Sequence, residues 1–355
     1  MPVVLAIFSG ILILLSVLPF ISHHHWVYRA PEFLKQQLLI SQVLIIAITF
    51  LNIQSNPWLW CFQFPQIVLM IYHAALLFPF TPLHRRYGVK VTSGGSMPIK
   101  LVFCNVEQQN DQYDRFREFI IKENPHIFLT MESNHEWEQS MKILEKSYPH
   151  TVKVTLDNTY GMHFYSQIKI HRFQIHFFVA DDVPSIEAEL HTEDGYRFVF
   201  FGLHPPPPSP TEEENSLERD GDLLSAAKRI QEIQMSTIVA GDFNNVAWAR
   251  SSVLFRKSSN LIDARIGRKI LSSFHTRYWF FRVPLDLLFH SSDIAIDKLF
   301  RYPSVGSDHF PIGCTFHILE NHPPSAGHKE PIEEEEELEI REMIAKGQEE
   351  ESENR

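Results

Sequence analysis

From Met1 to Phe80 the chain carries only three charged side chains, Arg29, Glu32 and Lys35. A stretch so poor in charge has to be wrapped by protein or lie in lipid. Residues 3–21 form an apolar run long enough to cross a bilayer. With no basic start and no small-residue cleavage site, that run reads as an anchor and not as a cleaved leader. Residues 38–53 are shorter and, taken alone, would suit a buried core helix; residues 58–80 are long, with Pro65 and His73 inside. Three such runs so close together favour a three-helix membrane domain over residues 1–83, with Trp26, Tyr28, Trp58 and Trp60 at the interfaces.

The basic residues orient this domain. Arg29 and Lys35 lie in the first connection, none in residues 52–57, and Arg85, Arg86 and Lys90 follow the third run. The positive-inside rule then puts the amino terminus outside and the rest of an integral, multi-pass plasma- or inner-membrane protein in the cytoplasm. His23-His24-His25 reads as an exposed polar cluster at the boundary. Cys61, Cys104 and Cys314 have no paired spacing and read as small buried hydrophobes.

Residues 84–97, with Thr92-Ser93-Gly94-Gly95-Ser96, form a linker. Residues 98–320 alternate strand-like and helix-like runs. Asp111 is placed to cap a helix carrying Tyr113, Phe116 and Ile120 on one face, and Asn134 to cap the next, with Trp137, Met141 and Leu144 inward. Residues 151–203 are mainly strands, with Glu193-Asp194-Gly195 as a hairpin turn, and residues 216–235 are helical. This mixture predicts two sheets packed face to face with helices outside. From Glu330 on, twelve Glu face three basic residues; with Lys329 that segment holds −8 of the formal net charge of −11. Residues 321–355 are therefore expected to be an acidic disordered tail, with at most transient helix over residues 333–346. The first 98 residues contribute +4, which leaves −7 for residues 99–328 and no basic footprint for tight duplex-DNA binding.

The chemistry gathers at strand ends. Thr237-Ile238-Val239 runs into Ala240-Gly241-Asp242-Phe243-Asn244-Asn245, and in extended chain Asp242 and Asn244 share a face. The run 99–104 ends at Asn105, with Glu107 two residues on; 126–131 ends at Glu132; 196–203 ends at His204, before four prolines. Pro284-Leu285-Asp286 and Gly306-Ser307-Asp308-His309 complete the series. A carboxylate at the end of a buried strand is costly unless it is paired or faces a metal, although Glu132-Ser133-Asn134 also suits a helix cap.

In order and spacing these motifs resemble the endonuclease/exonuclease/phosphatase superfamily, the deoxyribonuclease I-like hydrolases, over about residues 98–320. The resemblance implies an α/β four-layer α-β-β-α sandwich of two stacked mixed sheets and phosphoester hydrolysis dependent on Mg2+, with Mn2+ as an alternative. It implies Glu132, Asn105, Asp308 and Glu107 around the metal, with Glu107 standing where relatives often have Asp. Asp242 would orient or deprotonate the attacking water, and Asn244 and Asn105 would hold the phosphate. His309 would act on the phosphoryl oxygen with its tautomer fixed by Asp286, and His204 on the leaving group, its carboxylate partner unassigned. Arg219, beyond the proline loop, is placed either to reach a phosphate or to sit at a solvated helix end.

Two positions depart from the pattern. Tyr165-Ser166-Gln167 replaces Ser followed by a basic residue, and Leu287 replaces an aromatic or His; both are expected to alter substrate contacts. Phe274-His275-Thr276-Arg277-Tyr278-Trp279-Phe280-Phe281-Arg282 reads as core, as a base-stacking surface or as a lipid-facing one. The expected function is a membrane-anchored, nuclease-like phosphodiesterase; a lipid-headgroup phosphodiesterase of the sphingomyelinase type and a non-catalytic scaffold are the alternatives. The expected partners are a nucleic-acid or phospholipid-headgroup phosphodiester and the bilayer itself.

Overall fold

The computed structural model describes residues 1–85, 95–210, 212–319 and 330–350. Most of the expected linker therefore lies outside the described residues.

The amino-terminal segment forms α1 (Pro2–Val17), α2 (Trp26–Phe33), α3 (Lys35–Phe50) and α4 (Trp60–Leu77). Pro2–Phe20 and Pro57–Phe80 are long and apolar enough to cross a membrane, and α2 with α3, bent by 70°, forms a third such stretch if counted as one span. The short helix α2 was not anticipated. His25 caps it by accepting from the Val27 N–H. The bundle is polar inside: Ser9, Ser16, Lys35, Gln42, Gln66 and His73 are buried, while Ile7, Phe8, Val43, Phe64, Val68 and Ile71 face outward. Gln42 Nε2 donates to Ser16 Oγ at 3.0 Å, His73 Nδ1 meets Gln42 Oε1 at 2.9 Å, and Lys35 Nζ lies 3.4 Å from His73 Nε2. One polar chain thus ties α1, α3 and α4 together. Cys61 is exposed on α4, against expectation.

The remainder carries strands β1 (Ile99–Asn105), β2 (Ile127–Met131), β3 (His150–Val154), β4 (Met162–Ser166), β5 (Lys169–His176), β6 (Ser185–His191), β7 (Arg197–Leu203), β8 (Thr237–Asp242), β9 (Ile262–Asp263), β10 (Asp286–His290), β11 (Ile294–Arg301) and β12 (Ile312–Ile318). They form two six-stranded sheets, ordered β11-β12-β1-β2-β4-β3 and β5-β6-β7-β8-β10-β9. Alternate residues point between the sheets, so Leu101, Phe103, Leu129, Phe164, Phe198, Phe200, Ile238 and Phe316 form one core. Phe164 stacks on Phe200 across it with ring centroids 4.7 Å apart. Helices α5 (Tyr113–Glu123) and α6 (His135–Met141) cover the outer face of the first sheet through Phe116, Ile120, Trp137 and Met141. Helices α7 (Leu217–Glu232) and α8 (Arg250–Ser259) cover the second. This is the expected four-layer α/β sandwich.

Local differences have local causes. Asn134 caps α6 as expected, accepting from the Trp137 N–H, but Asp111 does not cap α5 through its side chain. The glutamate-rich segment is ordered over residues 330–350, where α9 (Glu334–Glu349) has a capping box between Glu333 and Glu336. Its charge is met by Lys228, Arg250, Arg256 and Lys257 on α7 and α8, and Ile340 is fully buried beside Leu224 and Leu254. Neutralisation plus one apolar stripe replaces the expected disorder here; residues 320–329 and 351–355 lie outside the described residues.

Candidate active site

Strand pairing brings the motif residues to one rim. β1 and β2 run parallel with Asn105 opposite Met131, so Asn105 and Glu132 emerge side by side. β7 and β8 run parallel with Leu203 opposite Gly241, which sets His204 beside Asp242. β10 runs antiparallel to β8 with Asp286 directly opposite Asp242. β12, antiparallel to β1, begins at the same rim and is preceded there by Asp308 and His309. Asn105, Glu132, His204, Asp242, Asn244, Asp308 and His309 consequently line one cleft of about 470 Å³. Gly241 allows the close strand approach, since a Cβ there would run into the Leu203 carbonyl. Glu132 (φ 59°) and Asn244 (φ 46°) both adopt left-handed backbone, a strain of about 1–3 kcal/mol each that the flanking strands impose and that turns both side chains off the strand ends.

The groups are wired together. Asn105 Nδ2 donates to Glu132 Oε1 at 2.7 Å and to Asp242 Oδ2 at 3.1 Å. Glu132 Oε2 accepts from the Gln108 N–H, and Asp242 Oδ1 from the Asn244 N–H. His309 Nδ1 donates to Asp286 Oδ2 at 2.7 Å, which leaves Nε2 toward the cleft, 3.5 Å from Asp242 Oδ2. His204 Nε2 lies 3.9 Å from Asp242 Oδ2, near enough to feel its charge and too far for a hydrogen bond. Asn244 Nδ2 donates to the Pro205 carbonyl, fixing the carboxamide against the proline loop.

Burial and charge set the protonation states. Burial pushes the Glu132 carboxyl up to about 7, against the pull of its bonds from Asn105 and Gln108. Burial disfavours the His309 cation, yet Asp286 and Asp242 outweigh it and hold the imidazolium up to about 10. Burial lowers His204 to about 4 despite Asp242.

The donor set fits a hard divalent ion. Glu132 is a half-buried carboxylate to which, among the described residues, no cationic side chain is bonded, and Asn105 and Asp308 share its cleft. Asp242, Asp286 and His309 also offer ligand atoms within 4.8 Å of one another, but the Asp286–His309 bond commits one pair of those atoms to each other.

Three expected site residues do not line the cleft: Asp286 stands behind His309, bonded to its Nδ1, and Arg219 and Glu107 lie elsewhere. Arg219 is buried against Asp220 and donates to the Asn244 carbonyl at 3.2 Å, so it braces the loop from behind and does not face a phosphate. Glu107 follows the end of β1 with φ 58°, which breaks the extended geometry expected to align it with Asn105. It accepts from the Asp308 N–H and pairs with Arg277, orienting the Asp308 turn. The departures at Ser166 and Leu287 also lie away from the cleft: Ser166 pairs with Ile127 at the far end of β2, and Leu287 is buried under the helices.

Several residues were missed. Ser307 Oγ donates to the Asn105 carbonyl and accepts from the His309 N–H, locking that turn to β1. Tyr160 packs its ring 5.6 Å from that of His204. Part of the wall comes from Trp26, Ala30, Phe33 and Leu34, in the amino-terminal segment. Ser307 sits inside a recognised motif and was open to notice; the wall depends on a tertiary contact that no local pattern announces.

The Endonuclease/Exonuclease/phosphatase family model matches residues 102–309. No curated protein matches the chain. Among solved structures, D. rerio TDP2 complexed with single strand DNA product is 16% identical with a TM-score of 0.53, over 62% of this chain and 99% of that one. The human Nocturnin catalytic domain with bound sulfate anion is 19% identical with a TM-score of 0.51, over 62% and 94%. An endonuclease/exonuclease/phosphatase family protein from Bacteroides thetaiotaomicron is 17% identical with a TM-score of 0.51, over 65% and 99%. At these identities the likeness is one of fold.

Proposed function

The chain belongs to the endonuclease/exonuclease/phosphatase family, and on that premise we propose that it is a membrane-anchored, Mg2+-dependent hydrolase of phosphodiesters. The observation that carries the reading is the meeting of Glu132, Asp242, Asn244, Asp308 and His309, from both sheets, in one cleft. A non-catalytic scaffold has no need for that meeting, nor for the buried Asp286–His309 pair behind it.

Glu132, Asn105 and Asp308 would hold the ion, which when bound supplies charge neutralisation at the phosphoryl oxygens. Asp242 orients the attacking water and accepts its proton at the carboxylate. Asn244 positions the scissile phosphate. His309, with Nδ1 committed to Asp286, presents Nε2–H to a phosphoryl oxygen. His204 serves the leaving oxygen as a hydrogen-bond donor.

Anchoring is supported by the inverted burial of α1, α3 and α4, polar inside and apolar outside. A cytoplasmic position for the sandwich follows from Arg29, Lys35, Arg85, Arg86 and Lys90. The −7 balance of residues 99–328 opposes a nuclease-like reading on duplex DNA and leaves single strands and phospholipid headgroups as substrates.

The test uses the full chain in lipid nanodiscs with Mg2+ and bis(4-nitrophenyl) phosphate. His309→Ala is expected to lower turnover by roughly a thousandfold while the melting temperature stays within a few degrees. A large drop in melting temperature would assign His309 a structural role instead.

A further inference from the structure

The floor and the walls of the cleft come from different parts of the chain. The floor is acidic and amide-rich, whereas Trp26, Ala30, Phe33 and Leu34 on one wall belong to the amino-terminal segment. Their spacing puts them on a single face of α2 and its C-cap. One residue beyond Leu34 begins α3, part of the bent candidate span. The wall is therefore continuous with the helices that enter the bilayer. Leu77, which ends α4, and Phe80 in the turn after it pack in one cluster with Trp248, Val283 and Leu285, the last two of which line the same cleft. Trp248 Nε1 donates to the Glu32 carbonyl at 2.8 Å, fastening α2 to the sandwich.

The loop between β9 and β10 supplies a second, independent observation. Phe274 and Phe281 face the cleft. Between them Trp279 and Phe280 are 78% and 61% exposed, far more than buried aromatic burial energetics favour in water. Gln37, in the first turn of α3, donates to the Arg282 carbonyl at 2.9 Å and to the Phe280 carbonyl at 3.4 Å. These rings thus stand at the depth where α3 starts, the interfacial zone that aromatics occupy in membrane proteins.

We propose that the substrate is an amphiphile, a phosphate ester bearing a hydrocarbon chain, drawn from the bilayer with the chain along Trp26, Ala30, Phe33 and Phe281 and the phosphate on the Glu132–His309 floor. This rests on the hydrolase reading and narrows it. In the reaction, water adds to phosphorus and gives its proton to Asp242, and the P–O bond to the lipid oxygen breaks; the leaving oxygen, held by the His204 N–H, takes a proton from solvent, to which Asp242 returns its own. A soluble nucleic acid would gain nothing from a wall that adjoins the spans, and the acidic balance of the sandwich opposes it.

The test is inhibition of bis(4-nitrophenyl) phosphate hydrolysis by methylphosphonate and dodecylphosphonate, on the full chain in phosphatidylcholine nanodiscs with Mg2+. Each buried methylene strengthens binding roughly fourfold, so dodecylphosphonate is expected to bind at least about a hundredfold tighter. Ala30→Glu is expected to cut that ratio about tenfold, which separates seating in the cleft from simple partitioning into lipid. Phe281→Ser carries the same test should Ala30→Glu fail to fold. Diacylglycerol released from phosphatidylglycerol, with glycerol phosphate, or from phosphatidic acid, with inorganic phosphate, tells a diester substrate from a monoester. A ratio near one, a ratio that neither variant changes, or faster cleavage of single-stranded DNA than of either lipid overturns the amphiphile and leaves the hydrolase standing. No hydrolysis of bis(4-nitrophenyl) phosphate overturns both.

Discussion

The helical bundle and the sandwich bury opposite halves of their composition. Between the sheets Phe164, Phe198 and Phe200 are fully buried, while in the bundle the buried side chains include Gln42, Gln66 and His73, and Phe64 is 71% exposed. In water the first pattern is stabilised by removing apolar area from solvent. The second would be unstable there, because it spends its few polar groups on one another and leaves its apolar surface outside. In lipid the same pattern is the stable one, since hydrocarbon outside costs nothing and polar groups inside find partners. On the membrane-anchored reading, one chain carries two folding rules, and the cleft lies where they meet.

The contrast can be broken most sharply by cutting equivalent rings. Phe164→Ala is expected to cost about 3–5 kcal/mol in denaturant unfolding, whereas Phe64→Ala should cost less than about 1 kcal/mol in detergent. Equal costs would mean that the bundle is wrapped by protein. Next in size, Ile71→Asp puts a charge on the outward face, with an expected penalty of about 2.5–3.5 kcal/mol for insertion and a visible loss of membrane-integrated protein. Unchanged integration would remove the lipid from around α4.

Smaller effects sharpen the sandwich side. Asp286→Asn keeps the shape of the His309 partner but not its charge, so turnover should fall roughly 10–100-fold with little change in KM. The smallest is electrostatic and far from the cleft. Burial opposes the Glu187 carboxylate, yet hydrogen bonds from His176 and Arg229 hold its pKa down at about 2, against an ordinary 4.5. A depressed carboxyl stabilises the fold above its ordinary pKa and loses that contribution as pH falls from about 4.5 toward 2. Glu187→Gln should therefore differ from the parent in urea midpoint at neutral pH and converge with it across that window; a constant difference down to pH 2 would refute the assignment.

Strand-end chemistry was legible because β-branched and aromatic runs mark buried strands, and because the polar motifs fall in the order and spacing of the family that the sequence resembles. Asn105, Glu132, His204, Asp242, Asn244, Asp308 and His309 were found this way and do share a cleft. What could not be read was anything decided between distant segments. Arg219 was drawn inward by the adjacent Asp220 and the Asn244 carbonyl. Glu107 left the strand at a single positive φ. The glutamates of residues 330–350 looked mutually repulsive until α7 supplied Lys228 and α8 supplied Arg250, Arg256 and Lys257. The eight residues of α2, with Pro31 among them, carry an apolar face through Trp26, Ala30 and Phe33, but what that face meets is decided by the 70° bend and a tertiary contact.

The most direct measurement follows initial rates of bis(4-nitrophenyl) phosphate hydrolysis by the nanodisc-embedded chain before chelation with EDTA, after it, and after Mg2+ is returned, beside Glu132→Gln. Rates should vanish with the chelator, recover with Mg2+, and stay at least roughly a thousandfold lower in Glu132→Gln under all three conditions. A rate indifferent to the chelator, or a Glu132→Gln protein as fast as its parent, would contradict the account.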